Sequence, residues 1–246
     1  MMSDTCYILT CPHCGALKAV WHHCFSIYLT WPTLWSDYRR YHPKREWASV
    51  VQRCPTCKHY FIRGFPYIRT KTLCYTSNRG LLPYPNLKKA LEQFLSEGIN
   101  SNDELIVRQQ VLHAYNDLYG CVYHKDIPIE ELKYNKQNVL RFIQLLENDD
   151  QSEPLKQHTL YIAELYREIG DFSKCIETLK QPFLVATATE KIMFKTLPEL
   201  CHQQDTRVFR IQTNTDYLER IPIKEADDEP AYDPDKDVPE YEYEDW

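Results

Sequence analysis

The sequence predicts an α+β fold: a small β module at the N-terminus, an all-α domain after it, and an acidic tail. Three observations lead there. Two Cys-Pro-x-Cys stretches, "CPHCGALKAVW" from Cys11 and "CPTCKHYFI" from Cys54, sit among short β-type runs. From Asn86 onward, apolar residues recur at helical spacing. The last stretch, from Glu225, is dominated by acids and prolines.

The β module is placed at residues 1–80. "YILT" and "ALKAVW" bracket the first cysteine pair, and "ASVVQR" and "HYFIR" bracket the second. Each pattern reads as strand, tight turn, strand. "LLPYPN" from Leu81 carries two prolines and makes a linker. The helical domain is placed at residues 86–224. "NLKKALEQFLSEG" sets Leu87, Leu91, Phe94 and Leu95 on one face and stops at Gly98. "SNDELIVRQQVLHAYNDLYG" opens with Ser101 and Glu104 in capping-box spacing, and gathers Leu105, Leu112, Tyr115 and Leu118. "NKQNVLRFIQLLEND" spaces Val139, Phe142, Ile143 and Leu146 as a helix does. "EPLKQHTLYIAELYREIG" and "DFSKCIETLK" form two helices around Gly170-Asp171, with Leu160, Ala163, Tyr166 and Ile176 expected in the core. "TATEKIMFKTLPELCHQ" is the last helix, which Pro198 is expected to kink or end. The tail, residues 225–246, is expected to be disordered.

Two thiolates separated by a two-residue turn can grip one metal ion at about 2.3 Å. Proline after the first cysteine fixes φ, and Gly15 relieves crowding after the second. Two such turns, each on a hairpin, make a tetrahedral site of the zinc-ribbon kind, with Cys11, Cys14, Cys54 and Cys57 as ligands. The 39 residues between the pairs exceed the common short spacing, but loop closure grows only slowly in cost with length. Zinc is the expected metal, and an iron site would use the same four thiolates. A redox dithiol normally begins a helix, and both pairs here are followed by β-type residues. A site closed by four cysteines leaves no open position for catalysis and argues against an enzyme. The other cysteines, Cys6, Cys24, Cys74, Cys121, Cys175 and Cys201, read as small buried hydrophobes. "WHHC" from Trp21 could join His42 or His59 in a second site, but aromatic packing with exposed histidines is the better reading.

Composition narrows the rest. The glycines never cluster into a phosphate-binding loop, and neither HExxH nor GxSxG occurs. No apolar run approaches the ~20 residues that span a membrane, and no basic segment opens a signal peptide. Reduced cysteines in the cytoplasm are therefore expected. Residues 1–80 carry 11 Lys+Arg against 3 Asp+Glu, and the remainder 18 against 32. Between the cysteine pairs lie Trp21, Trp31, Trp35 and Trp47 with Phe25, Tyr28, Tyr38 and Tyr41, and Arg39, Arg40, Lys44 and Arg45 sit among them. Basic residues among aromatics can bind nucleic acid, but aromatics filling a small core are favoured about two to one.

"YIAELYREIGDFSKCIETL" resembles a tetratricopeptide (TPR) helix pair, with Ala163, Tyr166, Gly170, Asp171, Phe172, Cys175 and Leu179 in the pattern's places. Pro182 departs from it, and one copy is visible where a solenoid needs at least ~3. A TPR-like bundle is therefore expected. The combination loosely resembles, over most of the chain, uncharacterised bacterial proteins that join a CPxC zinc module to TPR-like helices, a resemblance that implies no known activity. The function expected is a non-enzymatic, cytoplasmic, zinc-binding adaptor with a protein partner. The alternative is a nucleic-acid-binding regulator using the basic N-terminal module.

Overall fold

The structure is a computed structural model and describes residues 5–22, 33–38, 40–41, 50–63, 68–70, 82–148, 158–181 and 187–211. The fold is mixed α+β and mostly helical, with short antiparallel strands at the N-terminal end and six helices after them. The tail from Glu225, and Trp31, Trp47, Arg39, Lys44, Arg45, Cys24, Cys74 and His42, lie outside the described residues.

Strands β1 (Thr5–Thr10) and β2 (Leu17–His22) pair antiparallel, from Thr5 opposite His22 to Thr10 opposite Leu17. The first cysteine pair makes the turn between them. Strands β3 (Thr33–Trp35) and β4 (Arg40–Tyr41) form a second short pair. Strands β5 (Val51–Arg53) and β6 (Tyr60–Ile62) close around the second cysteine pair. Strand β7 (Ile68–Thr70) joins the outer edge of β1. At the far end of the described chain, β8 (Arg210–Ile211) returns to pair with β3.

The helices are α1 (Tyr84–Ser96), α2 (Ser101–Tyr119), α3 (Ile129–Glu147), α4 (Thr159–Glu168), α5 (Phe172–Leu179) and α6 (Ala188–His202). Helix α1 starts two residues earlier than the periodicity suggests, because Pro83 and Pro85 preset its first turn. The cap of α2 is Asn100, not Ser101. Asn100 Oδ1 accepts the Asp103 N–H at 3.0 Å, and Asn100 Nδ2 donates to Asp103 Oδ2 at 2.7 Å. Glu104, expected to cap, is instead buried between Arg108 Nε at 2.8 Å and Arg141 Nε at 3.1 Å, which ties α2 to α3. Helix α3 begins at Ile129, just after Pro128, six residues before the segment from Asn135 in which the apolar pattern becomes visible. Helix α6 carries the capping box Thr187–Glu190 and continues through Pro198 to His202. The proline forgoes one hydrogen bond near the C-terminal end, while Leu197, Leu200 and Cys201 stay buried.

Three clusters make the helical core. Val51, Tyr60, Tyr84, Leu87, Leu91, Val111 and Tyr115 pack the β5–β6 hairpin directly on α1 and α2. Leu112, Val139, Phe142, Leu146 and Leu165 join α2, α3 and α4. Leu160, Ala163, Cys175, Met193, Leu197, Phe209 and Ile211 join α4, α5 and α6 to the C-terminal strand. Leu160 and Ala163 are in the core as expected, but Tyr166 is half-buried, with Lys174 Nζ over its ring at 5.2 Å. Leu95 and Leu118 are exposed, because the partners of α1 and α2 cover narrower stripes than the apolar pattern. Gly120 admits the returning C-terminal segment: Val208 N–H donates to its carbonyl at 2.8 Å, and an added Cβ would lie 2.7 Å from Val208 Cγ2. Among the described residues no helix is long and apolar enough to cross a membrane.

Candidate metal centre

The two Cys-Pro-x-Cys turns have the same backbone construction. In the first, Gly15 N–H donates to the Cys11 carbonyl at 2.9 Å and Cys11 N–H to the Ala16 carbonyl at 2.9 Å. In the second, Lys58 N–H donates to the Cys54 carbonyl at 3.1 Å and Cys54 N–H to the His59 carbonyl at 2.8 Å. The residue after each second cysteine is left-handed, Gly15 at φ 72° and Lys58 at φ 63°. Glycine takes that conformation freely, whereas a side chain costs about 1–2 kcal/mol. Lys58 Nζ donates back to the Pro55 carbonyl at 2.6 Å, a local bond that helps hold its turn.

The hairpins bring all four predicted ligands together. Sγ of Cys11 lies 3.8 Å from Sγ of Cys57, and Sγ of Cys14 lies 3.6 Å from Sγ of Cys54. All four sulfurs are within 4.8 Å of one another. A tetrahedral ion with bonds of about 2.3 Å to sulfur sets its ligands about 3.8 Å apart. The donor set therefore fits a metal ion that prefers four thiolates. Cys11 and Cys54 are buried, with Leu9 and Phe61 packed against them, while Cys14 is exposed and Cys57 intermediate. The centre thus has an apolar inner side and an open outer side.

Thiol electrostatics point the same way. For Cys54, burial opposes ionisation, but the backbone N–H groups of Cys57 and Thr56 and the neighbouring thiols outweigh it and bring the group down to about 6. For Cys57, the His59 N–H favours the thiolate, but burial and the Cys14, Cys54 and Cys11 thiols push the group up to about 12. Four thiols at these distances cannot all ionise without a cation among them.

A surrounding layer of side chains, not foreseen from the sequence, ties the centre to the rest of the molecule. Lys18 Nζ donates to Gln52 Oε1 at 2.7 Å and to the Arg53 carbonyl at 3.2 Å, bridging the two hairpins. Burial lowers the Lys18 ammonium from its usual range, and the negative charge of Cys54 works against that shift. His13 and His59, one from each turn, stack with centroids 4.5 Å apart. Gln93 on α1 accepts the Tyr60 N–H at 3.0 Å through Oε1. Its Nε2 lies 3.0 Å from the Tyr60 carbonyl and 2.9 Å from His59 Nε2. Glu97, the C-cap residue just past α1, reaches His59 Nε2 at 3.3 Å. Lys18 and His13 lie near the cysteines in sequence and could have been suspected. Gln93 gave no such signal, because its role depends on how α1 docks against β6.

Of the remaining cysteines, Cys175 and Cys201 are buried in the core between α5 and α6, and Cys121 is intermediate. The second site considered around "WHHC" falls on Cys24 and His42, outside the described residues, and His59 is engaged with His13 and α1. Among the described residues the four cysteines form the one cluster of ligand side chains fit for a metal ion. Comparison with protein-family models, curated proteins and solved structures finds no match to this chain.

Proposed function

We propose that the chain is a non-enzymatic, zinc-binding adaptor of the cytoplasm, acting through protein–protein interaction. The observation that carries this proposal is the set of four cysteine sulfurs, Cys11, Cys14, Cys54 and Cys57, all within 4.8 Å of one another. Four thiolates fill the coordination of a zinc ion, so the metal serves structure and no position stays open to activate water or substrate. Zinc is preferred over iron because it takes this ligand set in a closed structural role. The matching hairpins support a zinc-ribbon-like module. The α4–α5 pair, joined at Gly170 and capped by Asp171, supports a TPR-like helical partner surface. Elemental analysis of protein purified without chelator should find one zinc per chain. In a pull-down from the native cell, Cys54→Ser should lose partners that the intact chain retains. Absence of stoichiometric zinc or iron would refute the metal assignment.

A second function is favoured by charge alone. Residues 1–80 carry 11 Lys+Arg against 3 Asp+Glu, while residues 225–246 hold 11 acids and one lysine. A nucleic-acid-binding module restrained by its own acidic tail would behave accordingly. Removal of residues 225–246 should then raise affinity for single-stranded nucleic acid, with added salt shrinking the difference. Failure of both forms to bind at low salt would exclude it.

A further inference from the structure

Away from the metal centre, the molecule buries an acid without a matching cation. Glu168, the last residue of α4, is 4% exposed. Its Oε2 accepts from Asn116 Nδ2 at 3.0 Å, while its Oε1 is buried with no hydrogen-bond partner. The same Asn116 amide donates to Asp37 Oδ2 at 2.9 Å, so two carboxyl groups flank one NH2. Asp37 is fully buried in the turn that follows β3.

The neighbouring cations are engaged elsewhere. Arg167 holds Glu164 through two bonds of 2.6 Å and donates to the carbonyls of Asp205 and Arg207. Arg207 in turn clasps the Asp205 carboxylate at 2.8 Å. On α2, His113 faces the Asp37 main-chain carbonyl at 3.3 Å. Burial first, and the surrounding acids second, keep the phenols of Tyr115 and Tyr161 protonated. His124 bonds the main-chain carbonyl of Glu168, and burial pushes its imidazole down, toward the neutral form. None of these groups neutralises a Glu168 carboxylate. Burial raises the Glu168 carboxyl well above the usual range, Glu164 and Asp37 add to the rise, and Arg167 and the Asn116 amide oppose it. A cavity of about 150 Å³, lined by His124, Asn135 and the exposed Lys133 and Lys136, reaches Glu168 and gives protons a path to solvent.

We propose that Glu168 is a protonated latch that holds the Ser36–Tyr38 turn against α2 and α4, and that its deprotonation releases that turn. The neutral acid shares the Asn116 amide with Asp37 without adding a charge to the buried site. The ionised acid would place an uncompensated charge, with one oxygen unpartnered, beside a second carboxyl group in a buried site, which is strongly unfavourable. The turn it guards is also bound to the C-terminal segment. Ser36 N–H donates to the Phe209 carbonyl at 2.8 Å, and Phe209 N–H donates to Ser36 Oγ at 3.1 Å. Opening the latch therefore loosens the turn after β3 and the C-terminal segment at one point. The sign is fixed by the raised folded-state value. The latch is fully closed below the ordinary glutamate range of about 4.3 and is weakened as pH rises through the higher folded value.

The experiment compares amide hydrogen exchange at Ser36 and Phe209 in the full chain and in Glu168→Gln between about pH 6 and about pH 9. Intrinsic base catalysis raises both. The wild type should rise by up to about tenfold more per pH unit than the variant, one proton's worth of linkage. Infrared spectra of the wild type near neutral pH should contain a protonated-carboxyl carbonyl band that fades as pH rises and is missing from Glu168→Gln. Equal pH slopes in the two proteins, or no such band in the wild type, would overturn the proposal. Should the variant fail to fold, the wild-type band alone decides.

Discussion

Gln93 is the place where the metal centre and the helices can be uncoupled without touching a ligand. Its side chain receives the Tyr60 N–H, faces the Tyr60 carbonyl and meets His59, all at 2.9–3.0 Å. Gln93→Ala removes all three. A net hydrogen bond contributes about 0.5–1.5 kcal/mol, so three give about 3 kcal/mol before allowance for exposure. Gln93 is half-buried, and water will replace part of what is lost, which brings the expected loss to about 2 kcal/mol. The partners that orient a metal site typically change its affinity by about 10–100-fold, so metal binding should weaken at least about tenfold. Urea denaturation of the loaded protein measures the first quantity, and competition against a chromogenic chelator measures the second. A stability change below about 0.5 kcal/mol together with unaltered metal affinity would refute the coupling, because the three bonds would then be worth no more than their replacements by water.

The other expectations concern the centre itself. Cys54→Ser should abolish tight metal binding, and because Val51 and Tyr60 share a core with Leu87 and Leu91, hydrogen exchange should rise in α1 and α2 while α4–α6 stay protected. Gly15→Ala should cost about 1–2 kcal/mol in thermal unfolding of the loaded protein. The penalty is conformational, since nothing lies within 4 Å of the added Cβ. Metal affinity should increase with pH, by about tenfold per unit for each thiol proton displaced. Cys57, pushed up to about 12, still holds its proton at neutral pH, and Cys54, at about 6, adds a further displaced proton below about 6. Chelator competition across that range would show a steeper slope on the acid side of about 6, and a pH-independent affinity would exclude thiolate ligation.

Local chemistry was readable from the sequence and long-range geometry was not. The four cysteines announce themselves by spacing, because a two-residue turn between thiols and β-type flanks admit few other structures. The six helices follow from periodicity that tertiary packing then reinforces. The errors arose where several local solutions compete. Asn100 and Ser101 are both good caps, and an extended backbone at Asn100 decided between them. Glu104 has the spacing of a capping residue, yet Arg141 from the next helix claims it. Leu95 and Leu118 lie near apolar stripes, but their exposure depends on the width of the facing helix. The pairing of β3 with β8 joins two very short strands with no periodicity to betray them. The Asp37–Asn116–Glu168 group is assembled from three elements far apart in sequence, and no motif marks it.

That last strand pairing also sets an order of events during synthesis. The cysteine hairpins are complete once Ile62 has emerged, so the four candidate ligands are available while the helices are still being made. The Ser36 turn must wait for Phe209, 173 positions later, before it meets its partner. Until then β3, which lies between the two cysteine pairs, lacks the strand that pairs with it from the C-terminal segment. Contacts of such sequence separation form late, and an unpaired strand edge is where chains associate with one another. A nascent chain arrested before Ile211 should therefore have all four cysteines in place yet remain open at β3, which makes the final residues of the described fold a closing step rather than an appendage.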